Sequence, residues 1–465
     1  MPDADVEHGH SHGHGHELAG GWGQWLGDRT LRLVLIGVAA AALATAVAVV
    51  ALWPSGDGRR DAIANADEIG LATDRFSATV ETVTDQPCSY STSDDPQFCR
   101  ELTLIVHEGP DPGSTVILPE FNLQFDRSGP NLSVGDKVIL GYEESTDFYF
   151  FADRDRRTTL VVLAALFAVF VIALGRFRGA LALLAMGATL VILVTFVAPS
   201  VLDGNDPLLV SVVAASAIAF VSLYLTHGFS PTTTVALAGT LFALGLTLAL
   251  SWVFFELSVF TGLATEEALI LPFIAENLDV RGLLLGGAII GALGALDDVT
   301  VTQVATVAEL RNRRPDLSTR ELVTSGIRVG REHIASTVNT LLLAYAGASM
   351  PLLLLFAVAD QPLEMVANSE LIAVEIVRTL CGSIGLVAAV PITTSLAAIV
   401  VNAGSEASDD EASAAQPLEL STPVDPPEPT SPPERPISEP APEPAPNPEP
   451  RRTPAWEDFA PVDPE

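Results

Sequence analysis

The sequence predicts an α-helical polytopic membrane protein with eight transmembrane helices and a small extracytoplasmic β-rich domain between helices 1 and 2. Three observations predict this class. Hydrophobic residues make up 49% of the 465-residue chain, although its net charge is −33. The mean hydropathy is +0.39, which is high for so acidic a chain. Long uncharged apolar stretches recur along the sequence, so charge and hydrophobicity occupy different segments.

A spanning helix needs about 20 apolar residues, because the hydrocarbon core is about 30 Å thick and each helical residue rises about 1.5 Å. Eight stretches meet this requirement. The first is an anchor rather than a cleaved signal peptide, since its apolar run is long and a 30-residue leader precedes it. The eight predicted spans are residues 33–53, 158–174, 180–198, 208–225, 235–255, 282–307, 334–359 and 379–401.

Arginine placement predicts the orientation of these spans. Arg176 and Arg178 lie between spans two and three, and a second group lies between spans six and seven. Alternate counting puts both loops on one face, which the positive-inside rule makes cytoplasmic. We therefore expect a multi-pass protein of the cell (inner or plasma) membrane with both termini in the cytoplasm. The second group comprises Arg311, Arg313, Arg314, Arg320, Arg328 and Arg331.

The segment 54–157, between spans one and two, is predicted to form the outer β-rich domain. Its apolar and β-branched runs FSATVETV, ELTLIVHEG, STVILPEFNLQF and KVILGY are separated by turn residues. This pattern indicates a small antiparallel β-barrel or sandwich. Cys88 and Cys99 lie on the oxidising side and are expected to form a disulfide. Cys381 falls inside the eighth span as a small packing residue.

Two terminal segments lie outside the predicted folded regions. Residues 1–30 form a His-rich leader in which His8, His10, His12, His14 and His16 alternate with small residues. Such imidazoles can bind a divalent metal weakly, and a metal-binding tail with no dedicated role is the alternative. Residues 403–465 are acidic and Pro-rich and predict a disordered cytoplasmic tail, either a spacer or a ligand for a partner.

Charged residues inside a membrane are costly and are commonly functional. The sixth span carries Asp297 and Asp298 after a stripe of glycines, and Thr302 and Gln303 follow within two helical turns. Two adjacent carboxylates in low dielectric are expected to take up a proton or a monovalent cation. The structural alternative places Asp298 near the interface, paired with Arg311 or Arg331.

The seventh and eighth spans supply further polar residues. His333, Thr337 and Thr340 recur at i, i+4 and i+7, so a polar face enters the membrane and needs partners. The carboxylates of span six are the expected partners of this polar face. Glu375 and Arg378 are three residues apart and can pair at the start of span eight. The remaining candidates of span seven are Arg331, Asn339 and Tyr345.

Three long motifs carry a family resemblance: GALGALDDVTVTQ, GIRVGREHIASTVNTLLLAYAGASMPLLLL and EIVRTLCGSIGLVAAVPITT. The chain resembles the YibE/F-like family of bacterial membrane proteins over roughly residues 70–402. The resemblance implies a multi-pass membrane protein and brings no established substrate or activity. The family's recurring polar positions map onto Asp298, Arg331, His333, Asn339, Thr340, Tyr345, Glu375 and Arg378.

These features predict a transporter or permease that couples protons or cations through the intramembrane aspartates. The alternative is a membrane scaffold or accessory subunit of an envelope complex, using the outer β domain and the Pro-rich tail. The expected partners are the lipid bilayer and either a second copy or an envelope protein. With 24 basic against 57 acidic residues, nucleic-acid binding is not expected. No enzyme activity or cofactor is expected, because no nucleophile elbow, HExxH motif or phosphate loop occurs.

Overall fold

A computed structural model describes residues 29–71, 73–92, 96–122, 131–144, 146–275, 278–358 and 361–414, with side chains to residue 402. The His-rich leader with His8 to His16 and most of the Pro-rich tail lie outside these residues. The helices are α1 (Arg29–Ala51), α2 (Asp57–Glu68), α3 (Arg157–Ile192), α4 (Ala198–Leu202), α5 (Pro207–His227), α6 (Pro231–Leu257), α7 (Glu266–Ile274), α8 (Val280–Arg313), α9 (Thr319–Ala348), α10 (Met350–Val358), α11 (Leu363–Asn368) and α12 (Glu370–Ala414).

Six helices are long and apolar enough to cross a membrane, or seven if the bent pair α9–α10 counts as one span. They agree with the predicted membrane protein, although the eight-span topology stays a prediction. The pair α9–α10 bends by 60°. The six are Arg29–Ala51, Arg157–Leu202, Pro207–His227, Pro231–Leu257, Val280–Arg313 and Glu370–Asn402.

The second and third predicted spans both lie within the helical stretch Arg157–Leu202. It includes α3, a π-helical turn at Leu193–Val197, and α4. The stretch is broken at Arg176, which has φ 52° and ψ −133°. The break falls in the GRFRG segment, where the sequence predicts a turn between two spans.

The bundle core lies among α5, α6, α8 and α12, which pack closely on one another. Their contact faces carry small residues and branched apolar residues, including Ala215, Ala219, Ile289 and Leu296, all 0% exposed. In contrast, α1 and α3 expose most of their apolar side chains. We attribute that exposure to contact with lipid.

The outer segment folds into an antiparallel sheet with the order β3-β2-β1-β5-β6, and β4 also pairs with β2. Each of the four predicted β-runs overlaps at least one of these strands. The described strands form one open sheet rather than the predicted barrel or sandwich, with a core that includes Leu102, Leu104 and Leu140. The strands are β1 (Asp74–Pro87), β2 (Phe98–Val106), β3 (Thr115–Ile117), β4 (Phe121–Asn122), β5 (Lys137–Glu143) and β6 (Phe148–Arg154).

One additional helix and two element boundaries differ from the sequence prediction. The polar helix α2 lies inside the segment predicted to be β-rich. Helix α9 begins at Thr319, fifteen residues before the predicted span, with Ser318 and Glu321 forming a capping box. Helix α12 continues to Ala414, because Ala, Ser and Glu residues permit a helix until the prolines begin at Pro417.

Two carboxylates hold loops together at the ends of the helices. Asp203 accepts hydrogen bonds from backbone N–H groups of Ser55, Gly56 and Gly58 and from the Ser55 hydroxyl. Glu370 accepts from the backbone of Thr261 and Gly262 at 2.8 and 2.7 Å. Both carboxylates therefore fix loops at the same end of the bundle.

Candidate functional site

The glycines of α8 divide into two groups with different surroundings. A Cβ atom at Gly286 would lie 2.1 Å from Ser211 Oγ, so this glycine permits close approach of α5. At Gly287 and Gly294 a Cβ atom would meet nothing within 4 Å, and at Gly291 it would lie 3.4 Å from the Tyr345 hydroxyl. The predicted small-residue stripe thus serves helix packing on one side only.

Asp297 follows this glycine-rich half of α8 and points toward α5. Its Oδ2 accepts a hydrogen bond of 3.1 Å from Ser222 Oγ. Its Oδ1 is buried and has no hydrogen-bond partner among the described residues. The negative charge of a carboxylate inside a membrane is poorly stabilised by a single hydrogen-bond donor. Such a group is suited to taking up a proton or a cation.

Asp298 points toward α9 instead. Its Oδ2 lies 3.5 Å from His333 Nε2, and its side chain is 66% exposed against 34% for His333. Among the described residues no ion pair joins Asp298 to Arg311 or Arg331, the partners of the structural alternative. Arg311 has turned away to donate to Leu317 O at 2.9 Å.

The two adjacent aspartates therefore face different helices. Successive residues of an α-helix are rotated by about 100°, so two neighbouring side chains cannot share one direction. The arrangement puts one carboxylate in the α5–α8 contact and the other beside a titratable imidazole at the α8–α9 contact. The Asp298 side chain is 66% exposed, whereas Asp297 Oδ1 and His333 Nε2 are both buried without a hydrogen-bond partner among the described residues.

Gln303 lies one further turn along α8, in a buried polar contact. Its Oε1 accepts a hydrogen bond of 2.9 Å from Thr394 of α12, and Gln303 is only 1% exposed. Gly330 of α9 lies against the same amide, since a Cβ atom there would be 2.9 Å from Gln303 Nε2. Gln303 thus joins α8, α9 and α12, which is a structural role.

Most hydroxyl groups of the predicted polar face donate hydrogen bonds to backbone carbonyl oxygens of their own helix rather than to the aspartates. Thr337 donates to His333 O at 3.0 Å and Thr340 donates to Ser336 O at 3.0 Å. Thr302 donates to Asp298 O at 2.8 Å. Asn339 and Arg331 are exposed. Of the candidates on α9, the structure therefore brings only His333 to the carboxylates.

The remaining candidates form a second polar group nearer the start of α12. Arg378 Nη1 lies 3.0 Å from Glu375 Oε1, the pair that the spacing predicts. Tyr345 and Glu375 line a mostly apolar cavity of about 300 Å³ between α9 and α12. This group is separate from the aspartates, because Gly291, beside Tyr345, precedes Asp298 by seven residues, or about 10 Å of helix.

Sequence reasoning missed the partners supplied by other helices. Ser222 is a single hydroxyl in an apolar span, and Thr394 lies at the end of the third family motif; neither was among the predicted site residues. The buried pair Thr240–Thr300, 2.6 Å between hydroxyl oxygens, was missed as well. Isolated hydroxyls in an apolar span were the available signal, since a buried polar group needs a partner.

Across the residues described, no group of three or more His, Cys, Asp or Glu side chains could hold a metal ion. The outer domain carries its predicted covalent link, with Cys88 and Cys99 joined as a disulfide. Both sulfur atoms lie away from the aspartates, in the sheet region. The two aspartates, His333 and Ser222 are therefore the candidate site.

Comparison with known proteins places the helical region in a family. A family model described as YibE/F-like protein matches residues 163–403. The match includes the aspartates, His333 and the Glu375–Arg378 pair, and it excludes the outer sheet. The curated proteins and the solved structures that were searched gave no match. Because residues 163–403 are more than half of the chain, this protein belongs to the YibE/F-like family.

Proposed function

We propose that the chain is a secondary transporter or permease whose transport step is coupled to protons or a monovalent cation through Asp297 and Asp298. The observation that carries the proposal is the buried, unpartnered Oδ1 of Asp297 within a helix long enough to span a membrane. Retaining such a group reduces stability, so its presence favours a functional role.

The surroundings of the pair support a loading order. Asp298 is the more exposed of the two aspartates, so in this proposal the proton or cation reaches Asp298 first. Asp297 then accepts the proton or cation, with Ser222 holding one oxygen in place. When Asp297 is neutralised, its carboxyl group needs fewer hydrogen-bond donors, and α8 can shift against α5. Such a shift would couple occupancy to transport.

The proposal includes the eight-span topology. The break at Arg176 divides Arg157–Leu202 into two spans, since 46 helical residues would extend about 69 Å, far beyond a bilayer. The bent pair α9–α10 forms one further span. Both termini then lie on the face of the arginine-rich loops, which is cytoplasmic by the positive-inside rule.

Proton flux into vesicles tests the coupling. Purified full-length chain is reconstituted into vesicles that contain a pH-sensitive dye, and an external acid pulse is applied with and without sodium. Wild-type vesicles should acidify faster than empty ones, and Asp297→Asn and Asp298→Asn should return to the empty-vesicle rate. Asp316→Asn is the matched control, because Asp316 is an exposed carboxylate held by Arg314 in a loop.

The outcomes separate the two functions considered. Flux lost in both aspartate variants, with normal folding by size-exclusion chromatography, supports coupling. Flux that persists in Asp297→Asn contradicts it. Wild-type vesicles that acidify no faster than empty ones, with aspartate variants that only lose abundance, favour the scaffold function instead.

A further inference from the structure

A polar cavity of about 290 Å³ lies where α5 ends, α6 begins and α8 approaches its C-terminus. Its polar groups are separate from the aspartates, because Glu309 follows Asp298 by eleven residues, or about 16 Å of helix, and only the apolar part of the wall reaches back to Val301. Its polar lining comes from four parts of the chain: the break in α3, the end of α5, the start of α6 and the last turns of α8. These polar residues include Arg178, His227, Ser230, Thr232, Glu309 and Asn312.

Arg178 is the cation of this cavity. Its side chain is exposed, and no ion pair or hydrogen bond joins it to another residue of the described chain. The backbone positions it firmly: Arg176 has a non-helical conformation, and a Cβ atom at Gly179 would lie 2.3 Å from Val171 O. The close approach at Gly179 therefore holds the turn that carries Arg178.

Neutral donors line the rest of the cavity. Ser230 caps the first turn of α6, and its Oγ lies 2.8 Å from both Thr232 Oγ1 and Thr233 Oγ1. Each hydroxyl in this group can redirect its proton toward a ligand. His227 and Asn312 are exposed at the rim, where an imidazole N–H and an amide NH₂ can donate.

Glu309 is the anionic residue on the wall, and it already has a cationic partner. Arg313, one turn later on α8, lies 2.6 Å from Glu309 Oε1. This pair contributes little net charge. The charge of Arg178 therefore makes the cavity positive overall. Guanidinium, hydroxyl and amide donors arranged on several sides are suited to a tetrahedral oxyanion.

We propose that this cavity binds a phosphate group, either free phosphate or the headgroup of an anionic phospholipid. Arg178 makes the charge-assisted contact, and the Ser230–Thr232 hydroxyls and Asn312 supply further hydrogen bonds. A lipid is a candidate source of the phosphate because an apolar groove of about 940 Å³, lined mainly by α1 and α5, ends at Phe229 and Thr234, which are sequence neighbours of Ser230 and Thr233 in the cavity wall.

Binding is tested with full-length chain in nanodiscs. In one arm, zwitterionic phosphatidylcholine nanodiscs are titrated with inorganic phosphate by isothermal titration calorimetry. In the other arm, nanodiscs contain phosphatidylglycerol without free phosphate, and native mass spectrometry counts the retained lipid. Arg178→Gln should weaken phosphate binding or lipid retention about tenfold, since it removes the ionic contact. Glu309→Gln should strengthen binding about threefold, since it removes a nearby negative charge.

Arg328→Gln is the matched control, because Arg328 is an exposed arginine of α9 outside the cavity. Binding in either arm that falls in Arg178→Gln and not in the control supports the proposal, and the arm that responds identifies the source of the phosphate. Absence of binding in both arms overturns it. Binding that Arg178→Gln leaves unchanged, or that Glu309→Gln weakens, also overturns it.

Discussion

Ser222 on α5 donates a hydrogen bond from Oγ to Oδ2 of Asp297 on α8, across 3.1 Å. No other hydrogen bond to the Asp297 carboxylate is present in the described part of the chain, and Oδ1 is buried without a partner. The contact therefore links the charge state of Asp297 to the packing of α5 against α8.

The first prediction concerns this contact. Ser222→Ala should lower the free energy of unfolding by about 1 kcal/mol, because it removes the donor and leaves the carboxylate poorly solvated. In an Asp297→Leu background the same substitution should have almost no effect. A double-mutant cycle based on thermal or denaturant unfolding in detergent measures the coupling. Equal losses in both backgrounds would show that the hydrogen bond contributes nothing.

The second prediction uses two adjacent glycines of α8. Gly286→Ala should destabilise the bundle by about 1–3 kcal/mol, because overpacking forces α8 away from α5. A Cβ atom there would lie 2.6 Å from Ser211 Cβ as well as 2.1 Å from its Oγ. Gly287→Ala, where a Cβ atom meets nothing, should change stability by less than about 1 kcal/mol.

Thermal unfolding of the two glycine variants in the same detergent makes the comparison. Both substitutions change helix propensity equally, so the difference between them isolates the α5–α8 contact. A Gly287→Ala variant that is as unstable as Gly286→Ala would contradict the packing described here.

The spans and β-runs could be predicted because their signals are local. Apolar length identifies α5 and α6, and alternating or β-branched runs identify β1 and β2. The early start of α9 also had a local signal, since Ser318 and Glu321 match a capping box. The polar helix α2 was missed because its charged sequence has Ile63 as its one large apolar residue and therefore no apolar stripe.

The partners of the aspartates could not be predicted, because they depend on which helices meet. Spacing places Asp297 and Asp298 about 100° apart on α8, but it does not show which helix lies on either side. Ser222 is 75 residues away in sequence. Likewise, the glycine stripe predicted close packing, yet only the tertiary arrangement distinguishes Gly286 from Gly287.

The third prediction concerns the disulfide of the outer sheet. Replacing both Cys88 and Cys99 by Ser should lower the stability of the sheet by about 2–3 kcal/mol, through loss of the cross-link in the unfolded chain. Limited proteolysis at the sheet, compared with and without reductant, measures this effect. Cleavage that is equal in the wild type and the double variant would contradict it.

Thiol counting provides the control for the pairing itself. The chain has three cysteines, and Cys381 is free and buried. A maleimide–polyethylene glycol reagent should therefore add nothing to the native chain, one group after denaturation, and three after denaturation with reductant. Three additions without reductant would show that Cys88 and Cys99 are unpaired.

The last prediction concerns Asp203, which directly follows α4. Burial raises its pKa, but hydrogen bonds from the Ser55 hydroxyl and from the backbone N–H groups of Gly56, Ser55 and Gly58 outweigh this effect. The pKa of the folded state therefore lies below its ordinary value of 3.8. Its stabilising contribution is present above pH 3.8 and is lost as the pH falls through the folded-state pKa.

Hydrogen exchange of residues 56–68, followed from pH 7 down to the onset of acid unfolding, measures this contribution. Asp203→Asn should speed exchange in α2 at pH 7, because an amide is a weaker acceptor than a carboxylate for these N–H groups. The difference between variant and wild type should shrink below pH 3.8, as the pH falls through the folded-state pKa and the wild-type carboxyl becomes protonated. Asp61→Asn, at an exposed position of α2, should match the wild type throughout. A difference that stays unchanged down to acid unfolding would mean that the charge of Asp203 does not stabilise α2.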